Sequence, residues 1–170
     1  MSARQRIAVG LLTMSLTGFG VWKANEGFTD TAVIPTKGDV PTIGHGSTRW
    51  EDGRPVKMGD TITRQRAEVL ARALNSQAEK EFAASLPGVK LFQDEFDLYI
   101  DFVGQYGMGT WRKGTPRRQL LAGNYIGACE ALLLYRYAAG YDCSTPGNKR
   151  CWGVWQRQLN RHAQCIEAQR

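Results

Sequence analysis

The chain has 170 residues, of which 42% are hydrophobic and 22% are charged, and its formal net charge is +6. This composition is that of an ordinary folded domain, so it excludes a wholly disordered chain. The positive charge favours anionic partners such as nucleic acid, anionic lipid or an acidic cell-wall polymer, without choosing among them.

The first predicted element is an uncharged segment, residues 7–22, with Arg4 and Arg6 before it and Lys23 after it. Export signals and membrane anchors share this order of charges and apolar residues. A helix of this length is roughly 24 Å long, against a hydrocarbon core of roughly 30 Å, so we expect only marginal insertion. The arginines would stay in the cytoplasm and the rest of the chain would face outward.

Three interpretations of this segment remain open. It can be a cleaved signal peptide, a buried helix of a soluble protein, or a weak anchor that inserts in the bilayer and later leaves it. The weak anchor is the interpretation we favour.

Residues 26–59 are rich in glycine and proline, which predicts a small irregular β-sheet with tight turns. Asp52-Gly53 suits a hairpin turn. Thr63 then suits the N-cap of a helix over residues 64–85, because that stretch contains neither glycine nor proline.

Helical patterns dominate the rest of the chain, so the predicted fold class is α+β and predominantly helical. Tyr106 and Trp111 lie in a glycine-broken turn and are candidates for stacking on a sugar, whereas the other aromatic residues suit a core. The further predicted helices cover residues 91–107, a start at Thr115-Pro116, residues 125–138 and residues 152–167.

The four cysteines, Cys129, Cys143, Cys151 and Cys165, lie 14, 8 and 14 residues apart. Zinc sites usually contain close C-x-x-C pairs, which are absent, so no metal is expected. Two disulfides formed in an oxidising compartment fit better, and free core thiols are the alternative that stays open. Four cysteines allow three pairings, and the symmetric spacing favours a nested pattern with Cys143–Cys151 inside Cys129–Cys165.

Two acids and a threonine offer the chemistry of glycoside cleavage, which needs a protonated acid at the leaving oxygen and a second group that activates water. Glu26 lies at the end of an apolar segment, where desolvation suits an acid. Asp39, in a glycine-flanked turn, would stay ionised, and the Thr42 hydroxyl could orient water. His45, in a packed Ile-Gly-His-Gly turn, is interpreted as a polar filler rather than a base.

The pair Glu26-Gly27, followed at residues 41–48 by Pro-Thr-Ile-Gly-His-Gly-Ser-Thr, resembles the phage-type lysozymes of glycoside hydrolase family 24. In that family a Glu-Gly pair precedes a Thr-Ile-Gly-x-Gly-x-Thr signature, and the resemblance here covers roughly residues 22–170. It implies a lysozyme-like fold, with a small β-sheet lobe and a helical bundle lobe flanking a cleft. It also implies hydrolysis of the β-1,4 bond between N-acetylmuramic acid and N-acetylglucosamine in peptidoglycan, which lyses the host cell wall at phage release.

The resemblance implies Glu26 as general acid and carries over Thr42, but the second carboxylate fits less well. The family pattern is Glu, eight residues, Asp or Cys, five residues, Thr. In this chain one extra residue separates Glu26 from Thr42, and counting from either end reaches no acid. Asp39 is the preferred second acid, and Asp30 is the alternative that lies closer to Glu26 along the chain.

The N-terminal segment also resembles that of the signal-anchor-release lysozymes of phages. This predicts an anchor-like segment over residues 1–23 and a catalytic domain over residues 24–170. The enzyme would be exported to the periplasm and tethered transiently to the inner membrane by residues 7–22. It would stay inactive until release allows Glu26 to join Asp39 and Thr42.

The expected partners follow from this prediction. We expect a monomer that binds peptidoglycan, needs no cofactor, and does not bind nucleic acid, because its basic residues are dispersed. Two other functions remain open: a lytic transglycosylase acting on the same bond, and a non-enzymatic basic protein that permeabilises membranes.

Overall fold

The computed structural model describes residues 5–170, so Arg4 lies outside the described residues. The chain forms two compact units. The sheet unit comprises residues 15–80, and the helical unit comprises residues 81–170 together with the described residues up to Met14. The elements in chain order are β1 (Ile7–Ala8), α1 (Leu16–Glu26), β2 (Thr29–Val33), β3 (Thr42–Gly44), α2 (Arg64–Ala84), β4 (Lys90–Leu91), α3 (Gln93–Lys113), α4 (Thr115–Leu121), α5 (Tyr125–Ala131), β5 (Tyr137–Ala138), β6 (Tyr141–Asp142) and α6 (Trp152–Glu167). The prediction of an α+β, predominantly helical chain is confirmed.

In the sheet unit, β2 and β3 form an antiparallel pair. Thr29 lies opposite Gly44 and Val33 lies opposite Thr42, so four residue steps of β2 face two steps of β3. β2 therefore carries an irregularity of the β-bulge kind, which bends a strand and lets the pair absorb extra residues. It lies in the same interval in which the sequence shows one residue more than the family pattern.

A small apolar core holds β3 against α2. Gly44 has φ +64°, and a Cβ atom at this position would lie 2.9 Å from Cβ of Ala67, so only glycine lets the strand and the helix pack this closely. α2 begins as predicted, because Oγ1 of Thr63 accepts a hydrogen bond from the N–H of Arg66 at 3.2 Å. The buried members of this core are Ala32, Ile43, Val56, Ile62, Ala67 and Leu70.

Residues 7–22 do not form one helix. Ile7 and Ala8 pair with Leu91 and Lys90 in an antiparallel ladder, and a 3-10 helix, Val9–Leu11, follows. α1 begins only after Ser15, whose Oγ accepts the N–H of Gly18 at 2.9 Å and so caps the helix. Within residues 5–170, no helix combines the length and the apolar character needed to cross a bilayer.

An aromatic core fills the helical unit around Trp111, whose side chain is fully buried. Its Nε1 donates to Oγ of Ser85 at 2.9 Å, and its ring packs on Phe82, Tyr99 and Phe102. The indole is thus enclosed on all sides by its own unit. Trp111 is a core residue, and the prediction that it could stack on a sugar is wrong.

The nested disulfide pairing is confirmed. The outer disulfide, Cys129–Cys165, joins α5 to α6, and the inner disulfide, Cys143–Cys151, closes the loop before α6. The helix predicted over residues 125–138 is wrong beyond Ala131, because a 3-10 turn and the β5–β6 hairpin replace it. Ala139 and Gly140, with φ of 48° and 82°, form the turn of this hairpin.

A buried charge network links α3 to α6. The carboxylate of Asp101 accepts hydrogen bonds from Arg157 at 2.5 Å and from Arg161 at 2.6 Å. Burial opposes ionisation of Asp101, but its bonds to the two guanidinium groups and their charges outweigh burial and lower its pKa. The network therefore holds Asp101 in its charged form.

Candidate active site

Glu26 is the last residue of α1, and its side chain is half-buried. The helix ends here because Gly27 has φ +71°, which turns the chain out of the helix, while its N–H still donates to the carbonyl of Lys23. The helix is fixed within the sheet unit by an ion pair of 2.5 Å between Lys23 and Glu68 of α2. Gly27 therefore ends α1 directly after Glu26, so that a carboxyl group lies on the last turn of the helix.

The turn after β3 meets this carboxyl group. Ile43 and Ser47 exchange two main-chain hydrogen bonds of 2.9 Å, which close the turn over residues 44–46. Gly46 has φ +78°, and a Cβ atom at this position would lie 3.2 Å from Oε2 of Glu26. The second glycine of the Thr-Ile-Gly-x-Gly run therefore leaves room for the carboxyl group of Glu26.

His45, between these two glycines, contacts the same helix end. Its Nδ1 lies 2.5 Å from the carbonyl oxygen of Gly27, and the side chain is only 5% exposed. The ring lies near Trp22 and Phe28, at centroid distances of 6.3 Å and 5.6 Å. This histidine is buried, as a polar filler would be, and it also ties the signature turn to the residue that follows Glu26.

Thr42 is the first residue of β3 and is half-buried. Its Oγ1 donates a long hydrogen bond of 3.4 Å to the carbonyl of Val33 on the neighbouring strand. Because side chains alternate along a strand, Thr42 and Gly44 face the same side, roughly 7 Å apart. Thr42 thus lies on the strand that leads directly into the turn beside Glu26.

The two candidates for the second acid are both exposed. Asp39 lies in the loop between β2 and β3, where its N–H donates to the carbonyl of Thr36 and its Oδ1 accepts the N–H of Val40, both at 2.9 Å. Asp30 lies on β2, and its Oδ1 accepts the hydroxyl of Thr31 at 3.2 Å. Exposure therefore does not decide which of the two is the second acid. They differ in position, because Asp30 lies within β2 whereas Asp39 lies in the loop that joins β2 to β3.

Apolar rings and cations surround the helix end within the sheet unit. The guanidinium of Arg72 lies 4.0 Å from the ring centre of Phe19, and that of Arg64 lies 4.2 Å from the ring centre of Phe28. Both are cation–π contacts, one to a ring within α1 and one to a ring just after it. Acid-assisted hydrolysis of a glycoside uses a pair of carboxyl groups.

Metal-assisted hydrolysis would need a set of ligands in addition. Among residues 5–170, no three or more His, Cys, Asp or Glu side chains are grouped so that they could hold a metal ion.

Known proteins resemble this chain over most of its length. A profile of the phage lysozyme family matches residues 23–161. The endolysin of Salmonella phage P22 is 31% identical over 128 residues, which cover 75% of this chain and 86% of that protein. The SAR-endolysin of Enterobacteria phage PA-2 is 27% identical over 143 residues, which cover 78% of this chain and 77% of that protein.

Solved structures extend the likeness to the fold. The endolysin from Escherichia coli O157:H7 phage FAHEc1 superposes with a TM-score of 0.76 at 26% identity, covering 93% of this chain and 96% of that one. The chain belongs to the phage lysozyme family. It is a phage endolysin, a glycoside hydrolase that degrades peptidoglycan, as the sequence predicted.

Proposed function

We propose that this lysozyme hydrolyses the β-1,4 bond between N-acetylmuramic acid and N-acetylglucosamine, with Glu26 as general acid, Asp39 as general base and Thr42 as the group that orients water. Glu26 donates its proton to the glycosidic oxygen as the bond from C1 to that oxygen breaks. Water adds to C1, and its proton passes to Asp39. The observation that carries this proposal is that the Glu26 carboxyl group lies next to Gly46 of the signature turn.

The surroundings of the two carboxyl groups support this division of roles. Glu26 is half-buried at a helix end, about one helical turn after the buried Trp22. A carboxyl group shielded in this way suits a proton donor, whereas an exposed carboxylate such as Asp39 keeps its hydration and suits a base. The inverting route, in which a water molecule lies between the two carboxyl groups, is the one that this division of roles implies.

The test compares Glu26→Gln, Asp39→Asn, Asp30→Asn and Thr42→Val on purified peptidoglycan. Removing the acid should lower kcat by roughly 10²–10⁴-fold with the melting temperature retained, because proton transfer contributes about that much. Asp39→Asn should lose far more activity than Asp30→Asn, and the reverse order would assign the base to Asp30. Mass spectrometry of the products should show the added water, since a transglycosylase would leave a 1,6-anhydro sugar instead.

We further propose that residues 1–23 act as a releasable anchor, which keeps the domain over residues 24–170 inactive at the inner membrane after its export to the periplasm. In the folded chain this segment supplies side chains to both units, so it cannot span a bilayer and complete the enzyme at once. Val9 and Leu12 are buried in the helical unit, and Phe19 and Trp22 are buried in the sheet unit. The likeness to the SAR-endolysin of phage PA-2 supports the same regulation.

The charges of the segment strengthen this argument. Arg6 would remain in the cytoplasm while the segment is inserted. In the folded enzyme its Nε lies 3.0 Å from Oε2 of Glu95, whose side chain is fully buried. A buried carboxylate without its cation is strongly destabilising, so the helical unit reaches its full stability only after Arg6 has crossed the membrane.

Gly20 offers a direct test of release. A Cβ atom at Gly20 would meet no atom within 4 Å, so Gly20→Leu makes the segment more apolar without disturbing the folded enzyme. The variant should remain in the membrane fraction longer and delay lysis, yet cleave purified peptidoglycan at the normal rate once extracted. Gly20→Ser is the matched control. If Gly20→Leu were soluble and lysed cells on schedule, the anchor proposal would be refuted.

A further inference from the structure

We propose that His45 is a positioning residue for Glu26, and that it acts as the Nδ1–H tautomer by holding the carbonyl of Gly27. This inference rests on the proposed role of Glu26 as the acid. The ring itself is too buried to reach a substrate, at 5% exposure, so it acts through the main chain and not on the reacting atoms.

The tautomer follows from the partner of Nδ1. Nδ1 lies 2.5 Å from the carbonyl oxygen of Gly27, and a carbonyl oxygen can only accept a hydrogen bond. Nδ1 therefore carries the proton. Nε2 is buried and has no hydrogen-bond partner among residues 5–170, so the bond to Gly27 is the one polar contact there that orients the ring.

The Gly27 carbonyl matters because of where it lies. The last carbonyl groups of a helix have no partner within the helix, and Gly27 follows directly after the final residue of α1. Gly27 adopts φ +71°, and because it has no Cβ its backbone is less restricted than that of any other residue. The N–H of Gly27 is held by Lys23, so the bond from His45 fixes the next peptide, Gly27–Phe28, and without it the carbonyl of Gly27 loses its side-chain donor.

The turn over residues 44–46 therefore contacts both the Gly27 carbonyl and the Glu26 carboxyl group. His45 binds the carbonyl of Gly27, and its neighbour Gly46 lies under Oε2 of Glu26. The rings of Trp22 and Phe28 lie next to the imidazole ring of His45. The carboxyl group of the acid is therefore aligned by two successive residues of the signature, one through a hydrogen bond and one through close packing.

Two substitutions at His45 separate a donor from a filler. Asn places its amide nitrogen the same number of bonds from Cα as Nδ1, so His45→Asn can still donate to Gly27. Phe fills the space but cannot donate. We expect His45→Phe to lower kcat by roughly 10- to 100-fold with little change in KM, since misplacing a catalytic group by about 1 Å costs up to that much. His45→Asn should stay within about threefold of the parent, in keeping with a retained donor.

Val56→Ala is the matched control for lost packing, because Val56 is buried in the apolar core of the sheet unit at 3% exposure but has no part in the site. It should lower the melting temperature and leave kcat unchanged. An equal loss of kcat in Val56→Ala and His45→Phe would overturn the proposal, as would a His45→Asn variant as slow as His45→Phe. A long-range ¹H–¹⁵N spectrum of the parent protein should show Nδ1 protonated and Nε2 bare, and the opposite tautomer would also overturn it.

The role of Glu26 is tested separately. If Glu26→Gln abolishes cleavage while His45→Phe does not affect kcat, only the positioning role fails. If Glu26→Gln stays active, the proposed acid itself is wrong. In the Glu26→Gln background, His45→Phe should cause no further loss, because there is no proton donor left to position.

Discussion

Replacing Arg6 by alanine tests how firmly the N-terminal segment belongs to the folded enzyme. Arg6 donates to both carboxylate oxygens of Glu95, at 3.0 Å and 3.1 Å, and its guanidinium stacks between Phe92 and Tyr125. The Glu95 side chain is fully buried, whereas that of Arg6 is 26% exposed. Gln169 also donates to Glu95, at 2.6 Å, so Arg6→Ala leaves a buried charge with neutral donors only.

These contacts set the loss in the free energy of unfolding that Arg6→Ala should cause. Removing one partner of a buried ion pair costs about 3–5 kcal/mol, and the remaining donors and the partial exposure of Arg6 favour the lower end. A loss of about 3 kcal/mol corresponds to a melting temperature roughly 6–12 °C lower for a chain of this size. Thermal unfolding followed by circular dichroism, with urea unfolding at 25 °C, measures both quantities.

A double-mutant cycle separates the ion pair from lost packing. Glu95→Gln removes the buried charge, so Arg6→Ala should cost much less in that background. Arg54→Ala breaks an exposed ion pair with Asp52 of 2.6 Å and should leave the melting temperature unchanged within about 1 °C. A melting temperature unaffected by Arg6→Ala, or an equal effect in both backgrounds, would refute the reasoning.

Three further predictions concern the two units. The pKa of Asp101 is lowered in the folded state, so its charge stabilises the fold at pH values above the ordinary aspartate pKa of about 3.9, and this contribution is lost as the pH falls further. In Asp101→Asn, the free energy of unfolding in urea should therefore decrease less on acidification than in the parent protein. Removing the outer disulfide, which spans 36 residues, should cost about 4 kcal/mol, against about 2.5 kcal/mol for the inner one, which spans 8, by urea unfolding. Gly46→Ala and Gly53→Ala share positive φ and should lose similar stability, but only the former meets Glu26 and should lower kcat on purified peptidoglycan.

Local signals in the sequence predicted the features that depend on neighbouring residues. Thr63 caps its helix as expected, and the glycines around residues 44–46 mark the turn that meets Glu26. The disulfide pairing was also predictable, because equal spacing on either side of a turn brings the outer cysteines level. In each case the evidence lies within a short stretch of chain.

Features made by distant contacts could not be predicted in the same way. The fold of residues 7–12 depends on strand β4, some 84 positions away from Ile7, and no pattern within the segment reveals that partner. The role of His45 depends on the carbonyl of Gly27, a main-chain atom that residue types do not describe. A histidine between two glycines, three residues after Thr42, was the available signal, and it did not distinguish a donor from a filler.

The place of Arg6 in the helical unit also sets the order in which the chain can be completed. Its guanidinium bonds Gln169 at 2.5 Å, and Ile7 pairs with Leu91, so the unit closes only when segments from opposite ends of the chain meet. At a synthesis rate of about 5–20 residues per second, the early segment waits roughly 8–30 seconds for its partners. The same proximity makes the protein a good subject for circular permutation. Joining residue 170 to residue 5 by a short linker and opening the chain before Ser15 would keep every pair within the helical unit, and it would separate residues 7–14 of the apolar segment from residues 15–22.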